Sequence, residues 1–207
     1  MQIPLLYDLK GTIDMVRRAE ISRKTKETEI SVKLDLDGGE VFADTGIGFF
    51  DHMLTAMFFY AGFGASVKVK GDLNVDGHHS AEDAGIVIGT ALREALGDKN
   101  GIARFGQQYV PMDEALCLTV LDISGRPYHV YDAQMPQQMI GDYDACLTEE
   151  FMRAVAVAAG ITLHQKALYG KNSHHITEAL FKSMGLALKQ AVLISGKGVT
   201  STKGVLV

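Results

Sequence analysis

From Thr28 the chain alternates apolar and polar residues through Ile30, Val32, Leu34 and Leu36, the period of a strand with one buried face. Asp37-Gly38-Gly39 supplies a turn, residues 41–43 read as a second short strand, and residues 49–60 form an apolar helix that stops at Gly62. Residues 66–70 alternate again and residues 71–77 make a loop. From residue 80 apolar positions then fall at helical spacing to about Leu96. After a turn-rich linker at residues 97–101 the order returns. Residues 115–122 and 128–133 read as strands around a turn at Ser124-Gly125-Arg126-Pro127. A helix over 148–159 stops at Gly160, a strand covers 161–167, and a second long helix runs to Leu188. Each half is strand, strand, helix, strand, helix, which points to internal duplication of a unit of roughly 90 residues. The halves are residues 16–100 and 101–207, preceded by a weakly patterned arm, 1–15, that is either an ordered leader or loose.

Both long helices open on the same motif, Asp76-Gly77-His78-His79-Ser80-Ala81-Glu82-Asp83 in one and Asn172-Ser173-His174-His175-Ile176-Thr177-Glu178-Ala179 in the other. Four of the chain's seven histidines lie in these two copies, a concentration that chance does not explain. Helix positions three and four apart share a face, so His78 or His79 can meet Glu82, and His174 or His175 can meet Glu178. Imidazole nitrogen and carboxylate oxygen are ligands that Mn, Fe and Zn accept. Adjacent histidines diverge by about 100° around a helix, so each pair suits two metals or two sites better than one. Two exposed helix N-termini with helpful acidic neighbours would explain neither the doubled histidines nor the repetition.

Sliding one half on the other pairs Gly62 with Gly160 (160 − 62 = 98) and His78 with His174 (174 − 78 = 96). At the first offset His52 falls opposite Glu150 (150 − 52 = 98), so both short helices carry a possible ligand at the same place. His164 falls opposite Ser66 and is set aside, and His129, in a strand without such company, reads as an ordinary core or surface histidine. Arg104, Arg126, Lys182, Ser201 and Lys203 are candidates for an anion cradle. Singly each is an ordinary surface group, but Lys182 sits four residues beyond Glu178 on the presumed site face.

At 207 residues and 47% hydrophobic content the chain can bury a core for one large domain or two small ones. Its apolar runs fall far short of the roughly 18 residues of a membrane span, and no signal peptide opens the chain, so a cytoplasmic location is the default. A net charge of −5 without a dense basic run argues against a nucleic-acid partner, while a small anionic ligand needs only a few Lys and Arg. Cys117 and Cys146 lack CxxC spacing and read as reduced core thiols without a chemical role.

Six ordered motifs together resemble the imidazoleglycerol-phosphate dehydratase family of histidine biosynthesis, from about Arg18 to the C-terminus. They are Phe50-Asp51-His52-Met53-Leu54, the two HHxxE motifs with their flanks (the second running to Lys182), Pro111-Met112-Asp113-Glu114-Ala115, Asp122-Ile123-Ser124-Gly125-Arg126-Pro127 and Ser201-Thr202-Lys203-Gly204. The resemblance implies an α+β fold of two ribosomal S5 domain 2-like halves, each a mixed four-stranded sheet with helices on one face. It further implies a homo-oligomer of 24 subunits with active sites between them and two Mn2+ ions per site. Carried onto this chain, the ligands would be His52, His78, His79, Glu82, His174, His175 and Glu178. Many members have a further histidine where this chain has Glu150, which either substitutes as an oxygen ligand or leaves that ion one ligand short. Substrate contacts would come from Glu27, Arg104, Arg126, Lys182, Ser201 and Lys203.

The implied reaction is loss of water from imidazoleglycerol phosphate, giving imidazoleacetol phosphate. Metal on the imidazole nitrogens would favour the imidazolate, whose electrons expel the C3 hydroxyl to give a diazafulvene with an acidic C2 proton. Glu27 or Glu178 would transfer that proton if its pKa were raised by its surroundings. The residues alone also allow a dinuclear metallohydrolase, or a particle in which His/Glu clusters are structural metal staples.

Overall fold

The computed structural model describes residues 16–206, together with the short paired strands β1 (Leu6–Tyr7) and β2 (Ile13–Asp14). Apart from those two strands, the expected N-terminal arm lies outside the described residues. The first half runs β3 (Arg18–Lys24), β4 (Thr28–Asp35), β5 (Val41–Asp44), α1 (Gly48–Ala61), β6 (Gly64–Gly71) and α2 (His78–Leu96). The second runs β7 (Phe105–Met112), β8 (Ala115–Asp122), β9 (Tyr128–Asp132), a small hairpin of β10 (Met139–Ile140) and β11 (Tyr143–Asp144), α3 (Leu147–Ala159), β12 (Thr162–Tyr169) and α4 (Ser173–Ala191).

The two four-stranded sheets have the same order, β3-β4-β6-β5 and β7-β8-β12-β9. In both, the first three strands pair antiparallel and the last joins parallel, across a connection that carries the short helix. The fold is therefore the duplicated α+β arrangement that the repeated pattern points to. Alternation correctly locates the strands that bury one face. In β4, Ile30, Val32 and Leu34 are buried under α2 while Glu29 and Lys33 point outward. It does not find β3 and β7, one edge strand of each four-stranded sheet. β3 buries no residue fully, and β7 carries Gln107, Gln108 and Pro111, a proline that only an edge strand accommodates easily. Gly62 and Gly160 end α1 and α3 in left-handed conformation, φ 73° and 68°, each returning its N–H to the last helical turn.

The halves cross-pack: α2 lies against α3 and α4 against α1, while each long helix covers its own sheet. One hydrophobic core serves both halves, centred on Phe50, Phe151 and Phe181, whose rings meet at 5.2 Å (Phe50–Phe151) and 5.4 Å (Phe151–Phe181). Of the two cysteines Cys117 is buried in a second, smaller cluster with Val110, Ile176 and Leu180, but Cys146 is exposed at the start of α3. Among the described residues no helix is long and apolar enough to cross a membrane.

The helix pairs approach closely because glycines face the partner backbone. A Cβ at Gly89 would lie 2.6 Å from the carbonyl oxygen of Val155, and one at Gly185 would lie 2.2 Å from that of Met57. The two glycines are equivalent under the duplication (185 − 89 = 96). Neither carbonyl can yield without moving its helix, so Gly89→Ala and Gly185→Ala are each expected to cost about 1–3 kcal/mol, read as lowered midpoints in urea denaturation.

Candidate functional site

Cross-packing builds two similar clusters at the N-terminal ends of the helix pairs. His78 and Glu82 on α2 meet Glu150 on α3, and His174 and Glu178 on α4 meet His52 on α1. In each trio the possible ligand atoms lie within 4.8 Å of one another. His174 Nε2 is 3.2 Å and His52 Nε2 3.6 Å from the Glu178 carboxylate, and His78 Nε2 is 3.9 Å from that of Glu82. The helix starts are fixed locally in the same way. Asp76 accepts from the His78 N–H at 2.8 Å and Asn172 from the His174 N–H at 2.9 Å, each two residues upstream.

The second histidine of each pair turns elsewhere, as an angular separation of about 100° requires. His79 Nδ1 lies 3.0 Å from Asp72, and His175 Nδ1 lies 2.7 Å from Glu114. A carboxylate only accepts, so each Nδ1 carries the hydrogen and each Nε2 is left as the basic nitrogen, the arrangement that orients metal-ligating imidazoles. Glu114 also accepts from the backbone N–H groups of Lys171 and Asn172, at 3.0 and 2.9 Å. The His175 bond first and these N–H groups next hold its carboxyl down at about 2. The hydrogen bond to Asp72 raises the His79 pKa above its ordinary value against the opposing effect of burial, with the charges of Asp72, Glu27 and Asp76 adding to it. Asp72 and Glu114 escape sequence reasoning as site residues, because no spacing relates them to the histidines that they orient.

Glu27 sits in the turn between β3 and β4. That turn is tied to α2 by Asp83, which pairs with Arg23 and accepts from Thr28 Oγ at 2.5 Å. The charge of Glu27 adds to the raised pKa of His79. Glu178 does not show the raised pKa expected of the group that transfers the C2 proton. Burial alone would raise its pKa, but Lys182 Nζ at 2.8 Å and the flanking His52 and His174 bring it below the ordinary value, so it is held as a carboxylate.

Arg104, Arg126, Ser201 and Lys203 do come together, lining a cavity of about 250 Å3 with Thr202. Arg104 is held by Asp122 through two bonds, 2.7 and 3.0 Å, and donates to the Thr200 carbonyl at 2.8 Å. Lys182 is not part of this cradle, contrary to expectation, because its Nζ is drawn to Glu178 half-way along α4. The cradle lies instead at the far end of α4, where the Arg104 N–H meets the Ala191 carbonyl. Seventeen residues separate His174 from Ala191 (191 − 174), about 25 Å of helix. His164 is exposed on the outer side of β12, and His129 is partly buried, its pKa lowered by burial, so neither joins a trio.

Fold and clusters define a duplicated α+β protein with two His/carboxylate trios and a separate cavity lined by Arg104, Arg126, Ser201 and Lys203. A family model described as imidazoleglycerol-phosphate dehydratase matches residues 45–188. Curated relatives of that name include one from Acetivibrio thermocellus, 53% identical over 93% of this chain and 100% of its own length, and one from Ruminiclostridium cellulolyticum, 55% identical over 92% and 100%. Two solved structures agree. The Staphylococcus aureus imidazoleglycerol-phosphate dehydratase superposes with TM-score 0.79 at 38% identity (86% of this chain, 99% of that one). The Pyrococcus furiosus protein, in complex with (S)-C348, gives 0.78 at 41% identity (90% and 100%). The chain belongs to the imidazoleglycerol-phosphate dehydratase family.

His79 gains its partner in the folded state, so its pKa lies above the unfolded value. The stabilisation it brings is complete below about 6.5 and is lost as pH rises through the folded pKa. Asp72→Asn is expected to lower the His79 pKa toward 6.5 in an NMR titration of the imidazole. Glu114 has the opposite sign: its folded pKa is depressed, so its contribution holds above about 4.5 and disappears as pH falls toward 2.

Proposed function

We propose that the chain dehydrates imidazoleglycerol phosphate to imidazoleacetol phosphate in histidine biosynthesis, as a cytoplasmic, Mn2+-dependent hydro-lyase with two ions per active site. The observation that carries this reading is the pair of trios accompanied by two separately oriented histidines, His79 and His175. Mixed imidazole and carboxylate donors, gathered within 4.8 Å in each trio, fit a divalent first-row ion. Such ions, when bound, supply Lewis-acid stabilisation for negative charge developing on the substrate's imidazole.

The ligands on this reading are His52, His174 and Glu178 in one trio and His78, Glu82 and Glu150 in the other, with His79 and His175 adding nitrogens. With the ring N–H proton removed, the ring electrons would expel the C3 hydroxyl to give a diazafulvene; loss of the C2 proton and return of a proton to the ring leave an enol, which tautomerises to the ketone, the net loss being one water. Glu27 is the better candidate for the C2 proton, since its charge acts on His79 and no ion pair engages it among the described residues, whereas Glu178 is engaged by Lys182. Arg104, Arg126, Ser201 and Lys203 hold the phosphate through charge-assisted hydrogen bonds. Within one chain the His52/His174/Glu178 trio and this cradle are about 25 Å apart along α4, farther than a three-carbon chain between imidazole and phosphate can reach.

That distance favours active sites shared between subunits, with one chain's cradle serving another chain's ligands. The outer side of the second sheet supports self-association. Tyr109, Val120, Val130 and Tyr128 are exposed there, where the first sheet presents Glu29, Lys33 and Lys68. A closed homo-oligomer of 24 subunits is the assembly proposed.

Purified protein supplied with Mn2+ is expected to form imidazoleacetol phosphate, and His79→Ala or His175→Ala to reduce turnover more than ~100-fold. Hydrolysis of simple phosphoesters without turnover of imidazoleglycerol phosphate would favour the metallohydrolase instead. Light-scattering mass should fall when a chelator strips the ions. A particle of unchanged mass would leave the ions a catalytic role only.

A further inference from the structure

The duplication makes the two trios equivalent, yet their donors differ. His52 on α1 and Glu150 on α3 occupy the same place, so one trio offers two imidazoles and a carboxylate, and the other one imidazole and two carboxylates. The cations beside them differ too. Lys182 pairs with Glu178 from the same helix, one turn on. Glu150 pairs with Arg153 on α3, a helix that contributes only that one ligand. Arg153 is half exposed, so the pair sits at the rim, within reach of ions from solvent.

We propose that the two centres are selective for different classes of divalent ion, an inference that rests on the metal-dependent reading above. The His52/His174/Glu178 centre is nitrogen-rich and favours borderline ions such as Zn2+. The His78/Glu82/Glu150 centre is oxygen-rich and harder, and discriminates least against Mn2+. Arg153 is its positioning residue. It holds the Glu150 carboxylate, and its fixed positive charge opposes an incoming dication at short range, so the centre binds more weakly than its two carboxylates alone would allow. Removing the guanidinium charge should therefore tighten binding there and nowhere else.

The test uses full-length protein stripped of metal, loaded with Mn2+ and titrated with Zn2+ while released Mn2+ is followed by its EPR signal. Half of the Mn2+ is expected to leave first, and the remainder to require at least ~10-fold more Zn2+. In Glu150→His both halves leave together. In Arg153→Gln the resistant half binds Mn2+ about tenfold more tightly and the first half is unchanged, while Arg153→Lys, which keeps the charge, behaves as the parent protein. Joint release of both halves from the parent protein would overturn the proposal, as would a Glu150→His variant that still releases in two steps or an Arg153→Gln variant with unaltered affinities. Failure of the parent protein to bind Mn2+ at all would instead remove the metal-dependent reading beneath it.

Discussion

The close approach of each long helix to the short helix of the opposite half is the constraint on which the site depends. Neither half could form a trio by itself, since His78 and Glu82 find their third member on α3, and His174 and Glu178 find theirs on α1. Gly89 and Gly185 let the helix backbones come near enough, and the shared core around Phe50, Phe151 and Phe181 holds them there. Interior packing tolerates little adjustment, so the ligand positions at the helix ends take on the rigidity of the core beneath them.

Charge is managed differently at each cluster. Glu178, the most buried of the six trio residues, is kept ionised by Lys182 and two imidazoles, since a buried carboxylate without partners would take up a proton. Glu150 is more accessible and has Arg153 instead. The second histidines are each steered by one carboxylate through Nδ1, which also decides which nitrogen remains basic. Repetition of the chain has thus produced two centres of one geometry whose electrostatics have diverged through single residues.

Much of this was legible in the chain. Apolar periodicity located the two long helices, the two short ones and the central strands of each sheet, because those elements bury a continuous face and the core enforces the pattern, while β5 and β9, which bury no residue fully, were marked by the turns before them. Edge strands β3 and β7 bury little, so the same signal was too weak to mark them. The divergence of adjacent histidines was a matter of helix geometry and needed no tertiary information. The partners of His79 and His175 were another matter, for Asp72 and Glu114 lie in turns seven and sixty-one residues away.

By itself, then, the sequence determined the duplication, the donor types and the equivalence of His52 and Glu150, because repeat offset and helical period are local quantities. Which helix would complete which trio, and how far the Arg104/Arg126/Ser201/Lys203 cluster would stand from the trios, were decided only by the tertiary structure. These depend on packing between elements brought together from opposite halves, and no period along a single segment encodes that. The cradle shows the difference most plainly: the spacing of Lys182 from Glu178 already places that pair on one face of α4, but only the fold brings Arg104, Arg126, Ser201 and Lys203 together.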